Sequence, residues 1–528
     1  MRIRYARLIA ACVLAGTAGA SCAADAAEPD APIRFDIARF DIAGNTLLTA
    51  AEAAAAVAPY AGKNRDFGDV ERALDALEAL YHQRGYSVVS VRLPEQELNR
   101  GVVRLNVVQT KLGRIRVSGN QFHDEANVRR SLPALREGQT PKLTDVSASL
   151  RMANDNPSRK ITLKLANGAV DDEVDAVLAV SDEKAWKVML NLDNSGNDAT
   201  GKTHAGVVLQ HANLWGRDHL GSFQYTTTLE EPSKVSVYGL GYHVPLYTLG
   251  DSVDLYASYS NIDSGSVAAG LLSLAVSGKG AVYGARYNHT LARRGELDSR
   301  LVYGVDVKAF KNTVLFGGQD FGNDITVRPI SLGYVGSRPL AGGDASASVT
   351  LVRNIAGGSR GSGADFERNR AGAKPSYTIV RFAAAATRIV GRDWQARLLM
   401  NGQLTADALV PGEQFAAGGG ASVRGLDERA LALDSGVFTN AELYTPNLCP
   451  AGRRWQCRAL AFYDAATGTR NHVLAGEIES TSVGSVGLGA RVAMGNAVNL
   501  QLDYGHVVRA GSTTGGKHKV HVRMAFAY

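Results

Sequence analysis

The sequence predicts an all-β transmembrane barrel of 16 antiparallel strands, residues 185–528, preceded by two small α+β modules. Three observations predict it. From residue 185 onward apolar and polar residues alternate with a period of two, segment after segment. Before that point a frame of residues returns at a separation of 75, which marks tandem modules rather than a short-period solenoid. The chain opens on an export leader, yet no run of eighteen apolar residues follows it, so a membrane role has to come from strands.

The leader has the parts of a secretory signal: basic Arg2, Arg4 and Arg7, an apolar run over 8–14, and small-residue cleavage sites at Ala18-Gly19-Ala20 or Ser21-Cys22-Ala23. Residues 1–24 read as the signal peptide and 25–32 as a short tail. Gly19 stands where a lipoprotein signal carries an apolar residue, which disfavours lipidation of Cys22. Losing the three arginines takes the formal net charge from +6 to +3, too little to argue for nucleic acid as a partner. Cys449 and Cys457 flank Pro450-Ala-Gly-Arg-Arg-Trp455, and in an oxidising compartment they read as a disulfide stapling one turn. Zinc is disfavoured because no second pair is at hand.

The first module, 33–110, reads as a strand over 34–43, a Gly44-Asn45 turn, helices over 49–58 and 66–84, and strands over 87–93 and 101–109. In the longer helix Phe67, Val70, Leu74, Leu77 and Tyr81 recur at helical spacing, and Gly85 is placed to cap it. The second module, 111–184, opens on Arg114-Ile-Arg-Val-Ser-Gly-Asn120, the frame of Arg39-Phe-Asp-Ile-Ala-Gly-Asn45 again. Helices over 125–132 and 144–153 and strands over 160–165 and 174–180 follow.

The barrel pattern begins with Trp186, Val188, Leu190 and Leu192 alternating with Lys187, Asn191 and Asp193. It ends with Val520, Val522, Met524, Phe526 and Tyr528 on one face and His521 and Arg523 on the other. Phe526 and the terminal Tyr528, on the membrane-facing phase, read as the signal for barrel assembly, with the barrel-assembly machinery and outer-membrane lipid as partners. A single such strand would look the same in a soluble sandwich; the number of strands, the leader and the terminal aromatic decide for the membrane. Tight turns at 215–218, 341–344 and 391–393 alternate with longer segments such as 359–375. Counting from a periplasmic N-terminus places the long loops outside and the Cys449–Cys457 turn in the periplasm.

Catalytic and metal signals are weak, and no cofactor is expected. Gly196-Asn-Asp-Ala-Thr-Gly-Lys-Thr203 spells the phosphate-loop pattern, but the next segment continues as strand instead of the helix whose N-terminus would meet a phosphate. No helix carries His-Glu-x-x-His, and the eleven histidines are scattered, so neither a metal centre nor an enzyme is expected. The loop over about 406–435 is different. It exceeds the usual connection length, and at its centre Gly418-Gly-Gly-Ala-Ser-Val-Arg-Gly-Leu426 frames one arginine with glycines. We expect it folded back into the lumen, with Arg424 seeking a carboxylate on the wall. On the segment 459–466, Asp464 shares a face with Leu460 and Phe462; a carboxylate facing lipid is costly, so that face belongs inside. A bidentate Arg424–Asp464 contact and a hydrated, unpaired arginine are equally compatible with this spacing.

Taken together, the two Gly-Asn modules, the loop motif with Val423, Arg424, Gly425 and Leu426, the following Glu442-Leu443 and Pro446, and Phe462-Tyr-Asp464 resemble the TpsB transporters of two-partner secretion, relatives of hemolysin and filamentous-hemagglutinin secretion proteins. The resemblance implies that the modules are periplasmic POTRA domains. It implies that they capture an unfolded, large TpsA-type exoprotein and pass it through the barrel without nucleotide hydrolysis. It also implies that Arg424 is the loop-tip arginine and Asp464 the strand carboxylate paired with it. Leu426 replaces an aromatic and Ala466 a glycine of the family pattern, so a looser loop contact is expected. Residues 25–31 are too few for the N-terminal plug helix of archetypal members, which leaves plugging to the loop.

Overall fold

The computed structural model describes residues 33–528 apart from 98–100, 199, 262–265, 270–271, 276–278, 312–314, 317–318, 321–323, 451, 453 and 514–517. The expected signal peptide and tail lie outside the described residues. Two compact units are present, one ending at Thr110 and one running from Lys111 to Tyr528.

In the first unit β1 (Phe35–Ile37), β2 (Arg39–Ala43), α1 (Ala50–Val57), β3 (Gly62–Arg65), α2 (Phe67–Gln83), β4 (Val89–Arg92) and β5 (Val102–Gln109) follow in order. Both helices start on reciprocal caps, Thr49 with Glu52 and Asp66 with Asp69, which satisfy amides that the first turn leaves without partners. Val70, Ala73, Leu77 and Tyr81 of α2 join Val89 and Val91 of β4 and Val103, Leu105 and Val107 of β5 in one buried core. The single strand expected over 34–43 is two strands. At Ala38 the amide donates to the Gly101 carbonyl (2.7 Å), and the chain changes partner from β3 to β5. β3, Gly62-Lys-Asn-Arg65, escapes sequence reading because it holds no apolar residue to alternate.

The second unit begins with β6 (Lys111–Ser118), α3 (Glu125–Arg130), α4 (Leu143–Ala153), β7 (Arg159–Asn167) and β8 (Glu173–Asp182). Its sheet order β6-β8-β7 repeats the order β2-β5-β4, with one parallel and one antiparallel pairing in each. The repeated Gly-Asn has a physical cause. Gly44 and Gly119 take φ of +79° and +83°, and a Cβ at either would collide with the carbonyl oxygen of Val107 or Val180 on the central strand. The amides of Asn45 and Asn120 then close the turn on the carbonyls of Leu48 (3.1 Å) and His123 (2.8 Å).

The remainder is a closed antiparallel barrel of sixteen staves, as expected. The first stave, Trp186–Asp193, pairs with the last, His518–Ala527, from Arg523 opposite Asp193 to Ala527 opposite Met189. One stave is interrupted at Arg328, whose amide leaves the ladder for the Asn354 side chain (2.6 Å) just before Pro329, which has no donor. Its two parts, Ile325–Val327 and Pro329–Leu340, keep a common register against Asp298–Phe310. Alternation sorts the faces: Leu190, Leu240, Leu398, Tyr463 and Leu488 are exposed outward, while Gln210, Asn440, Asp464, Ser485 and Asp503 are buried inward. One barrel end carries short turns, such as residues 341–342 between Leu340 and Gly343; the other carries 355–377 and 405–434. Cys449 and Cys457 are disulfide-bonded at the short-turn end, with Cα atoms 5.2 Å apart. At the terminus, Phe526 and Tyr528 are exposed on the outer phase, and Tyr528 exchanges two backbone hydrogen bonds with Val188 (2.8 and 2.9 Å).

Candidate functional site

The segment 405–434 leaves the stave Trp394–Leu404 and returns into its neighbour Ser435–Tyr444. Both legs of its stem are pinned by buried carboxylates. Glu413, with no side-chain exposure, sits between Lys308 Nζ (2.7 Å) and Arg381 Nη2 (2.8 Å). Asp434, equally buried, receives both Arg370 nitrogens (Nη2 to Oδ2, 2.8 Å) and the amides of Leu409 (3.0 Å) and Asn471 (2.7 Å). Gln403 Nε2 ties the legs together, donating to the carbonyls of Glu413 (2.9 Å) and Asp434 (3.0 Å). Above the stem, Leu409 and Val410 pack with Phe366 of the short helix Gly363–Asn369 and with Tyr377.

Beyond the stem, Phe415–Ala417 and Leu431–Leu433 form a short antiparallel ribbon. Phe415, Val423, Leu426, Leu431 and Leu433 bury against Ala466, Val483 and Val507 of the wall. Each large side chain so buried is worth about 1.5–3 kcal/mol before the cost of ordering the loop. This apolar seat delivers the tip arginine to the wall.

Arg424 is paired as tightly as its fork allows. Its side chain is 4 % exposed and that of Asp464 0 %. Nε donates to Oδ2 and Nη2 to Oδ1 of Asp464, both at 2.7 Å, and the Arg424 amide adds a third bond to Oδ2 (3.1 Å). Nη1 turns to Glu442 Oε1 (2.8 Å) and lies 3.5 Å from Asp503 Oδ1. The guanidinium carbon stands 3.5 Å from the centre of the Phe462 ring, whose face favours a cation. Arg397 on Glu442 and Arg491 on Asp503 complete a cluster in which three arginines meet three carboxylates. A buried charge is tolerated only with such compensation.

Sequence reasoning names Arg424, Asp464 and Phe462, and the structure brings the three together. It misses Asn440, which donates to the Ser422 carbonyl and to Asp464 Oδ1 (2.7 Å), and His521, whose Nε2 accepts from the Gly425 amide (3.1 Å). It also misses Gly505 and Gly487, opposite each other on adjacent staves. A Cβ on Gly505 would lie 2.6 Å from the Arg424 carbonyl carbon, and one on Gly487 would strike the Phe462 ring. The readable signal was two glycines at lumenal phase on adjacent strands. Gly505→Val is expected to destabilise the docked loop by about 1–3 kcal/mol through overpacking, seen as a lower melting temperature of the detergent-solubilised protein.

The expectation of a looser contact is corrected by the geometry. Leu426 and Ala466 are both buried, and they join Val423, Val483 and Val507 in one apolar cluster between loop and wall. The phosphate-loop letters are followed by the strand His204–Leu214, which leaves no helix N-terminus for an anion. The letters Gly357-Gly358-Ser359-Arg360-Gly361, a pattern that sequence reading counted as absent, spell a hydrolase elbow. Ser359 there is exposed in the loop 355–362, five residues past the strand Gly343–Asn354, and not on a sharp turn from strand to helix.

A family model for haemolysin secretion/activation proteins, ShlB/FhaC/HecB, matches residues 172–492. The chain belongs to this family. A model of the ShlB-type POTRA domain matches residues 35–110, which makes the first module a POTRA domain; the second repeats its topology. Among curated relatives, the outer membrane transporter CdiB of Escherichia coli strain 536 is 24 % identical over 425 residues, 78 % of this chain and 68 % of that protein. CdiB of Dickeya dadantii is 24 % identical over 409 residues, 76 % and 70 % of the two chains. The heme/hemopexin transporter protein HuxB of Haemophilus influenzae is 25 % identical over 160 residues, 30 % and 28 % of the two. The solved structure of CdiB from Escherichia coli aligns with a TM-score of 0.78 at 20 % identity, covering 97 % of this chain and 93 % of that one. That of CdiB from Acinetobacter baumannii aligns at 0.68 and 16 %, covering 95 % and 91 %; both likenesses concern the fold. This family member is a two-partner secretion transporter of the outer membrane, with its POTRA domains in the periplasm.

Proposed function

We propose that this transporter, exported by its 1–24 leader, captures an unfolded secreted partner on its POTRA domains and passes it through the barrel without nucleotide hydrolysis. The observation that carries this reading is the loop 405–434, folded into a closed barrel and held at Asp464 by a single buried arginine. A pore for small solutes needs neither a pinned finger nor two added modules. Each module's sheet also leaves edge strands, β2 and β4 or β6 and β7, at which an extended chain can add by strand pairing. The partner is a large TpsA-type exoprotein whose unfolded segments supply that strand, and the path needs no site for a nucleotide or a cofactor. Arg424, with Val423, Gly425 and Leu426 around it, holds the finger in the resting state through Asp464 and Phe462.

The test is co-expression with a very large exported polypeptide encoded beside this chain. The polypeptide is expected outside the cell only when the transporter is present. Equal amounts outside with and without it would remove the translocator reading, and general loss of unrelated outer-membrane barrels on depletion would favour an assembly role instead.

A further inference from the structure

The second POTRA module is not joined to the barrel by the link 183–185 alone. Arg159, the first residue of β7, has a side chain with 0 % exposure whose Nη2 donates to Asp218 Oδ2 at 2.6 Å. Asp218, itself 1 % exposed, belongs to the barrel's first short turn, the one already marked as tight by Trp215-Gly-Arg-Asp218. Tyr247, in the next short turn, donates its hydroxyl to the same carboxylate oxygen (2.7 Å), and its side chain packs against the module's apolar core. Asn127 of α3 accepts from Arg159 Nη1 and donates to the Gly216 carbonyl (2.8 Å), and Asn156 donates to the Ala212 carbonyl (2.8 Å). The turn that accepts these contacts is held in a costly backbone. Trp215 and Asp218 take φ of +59° and +60°, a region that residues with a Cβ disfavour and that persists where the surroundings over-determine it. An ion pair removed from water persists only with such a shell of partners, and the shell leaves it little room to slide.

We propose that Arg159 is a positioning residue for export: it clamps the second POTRA module onto the barrel's short turns, so that module and barrel stay one rigid body while the partner chain passes. This rests on the translocator reading above. A segment held on the module then meets the lumen from one fixed direction, and opening is confined to the finger.

The test uses the full-length transporter in the outer membrane. Arg151 Nε of α4 and Asp298 Oδ1 at the start of a stave lie 3.8 Å apart, both half-buried and outside the clamp, so R151C with D298C can be bridged by a short bismaleimide. Cys449 and Cys457 are bonded to each other and do not compete. The bridged protein is expected to secrete its partner as the unbridged one does. Arg159→Ala is expected to lower secretion by about tenfold or more while the barrel stays heat-modifiable on a gel, to lower the bridging yield, and to regain secretion once bridged. Loss of secretion on bridging the otherwise unaltered protein would show that the module must swing away, and would overturn the proposal. Unchanged secretion and bridging yield in Arg159→Ala would overturn it as well. Should Arg159→Ala fail to assemble, the bridged protein with Arg159 intact still decides. Should no partner be secreted by the unaltered protein, the translocator reading has failed; the fall in bridging yield on Arg159→Ala then tests the clamp alone.

Discussion

Replacing Arg424 with alanine is expected to abolish secretion while leaving a folded, heat-modifiable barrel in the membrane. The wall ladders do not involve the tip, so the sixteen staves retain their hydrogen bonds. The docked finger does not retain its balance. Without the guanidinium, Asp464 keeps only the Asn440 amide and the backbone amide at 424, and Glu442 loses its 2.8 Å partner. Leaving a buried carboxylate without its cation costs about 3–5 kcal/mol, a shift of roughly two to three and a half orders of magnitude in the ratio of docked to released finger. Arg424→Lys recovers the charge but not the fork that meets both oxygens of Asp464, so an intermediate secretion level is expected. Arg424→Ala and Asp464→Ala together should cost less than the sum of the two, because the second change removes the orphan left by the first. Secretion at the normal level by Arg424→Ala would take the arginine out of the mechanism.

Deleting residues 412–432 is expected to raise single-channel conductance in planar bilayers well above that of the intact protein. A barrel of sixteen staves encloses a bore wide enough for water, and what occupies it here is the ribbon with its tip. The deletion takes out Glu413, Arg424 and the apolar face of Phe415, Val423, Leu426 and Leu431 at once. Lys308 and Arg381 are left facing a wet lumen, where a cation is cheap, so the wall should survive the loss. Asp434 and its Arg370 contact lie outside the deleted stretch. Conductance indistinguishable before and after the deletion would mean that the finger is not the plug.

Much of this was legible in the chain because membrane strands obey a strict rule. Lipid outside and water or a plug inside impose a period of two, and the alternation from Trp186 to Asp193 marked the first stave to the residue by that rule. The Gly-Asn frame was legible for another reason. A backbone carbonyl stands where a Cβ would be, so no other residue serves at position 44 or 119. β3 was not legible, since its four residues pair through backbone alone and carry no apolar signal. Asn440, His521 and Gly505 read individually as ordinary lumenal positions. They acquire a task only because a loop more than eighty residues before Gly505 in the chain comes to rest on them.

By itself the sequence determined the membrane phase of the first and last strands, the two repeated modules and the presence of one arginine in a glycine-framed loop, because each is a local pattern written in consecutive residues. Only the tertiary structure decided that Arg424 meets Asp464 and not bulk water, and that Arg159 meets Asp218 across the joint between module and barrel. Both are pairings between segments distant in the chain, and burial, which a linear pattern cannot report, is what gives such a pair its strength.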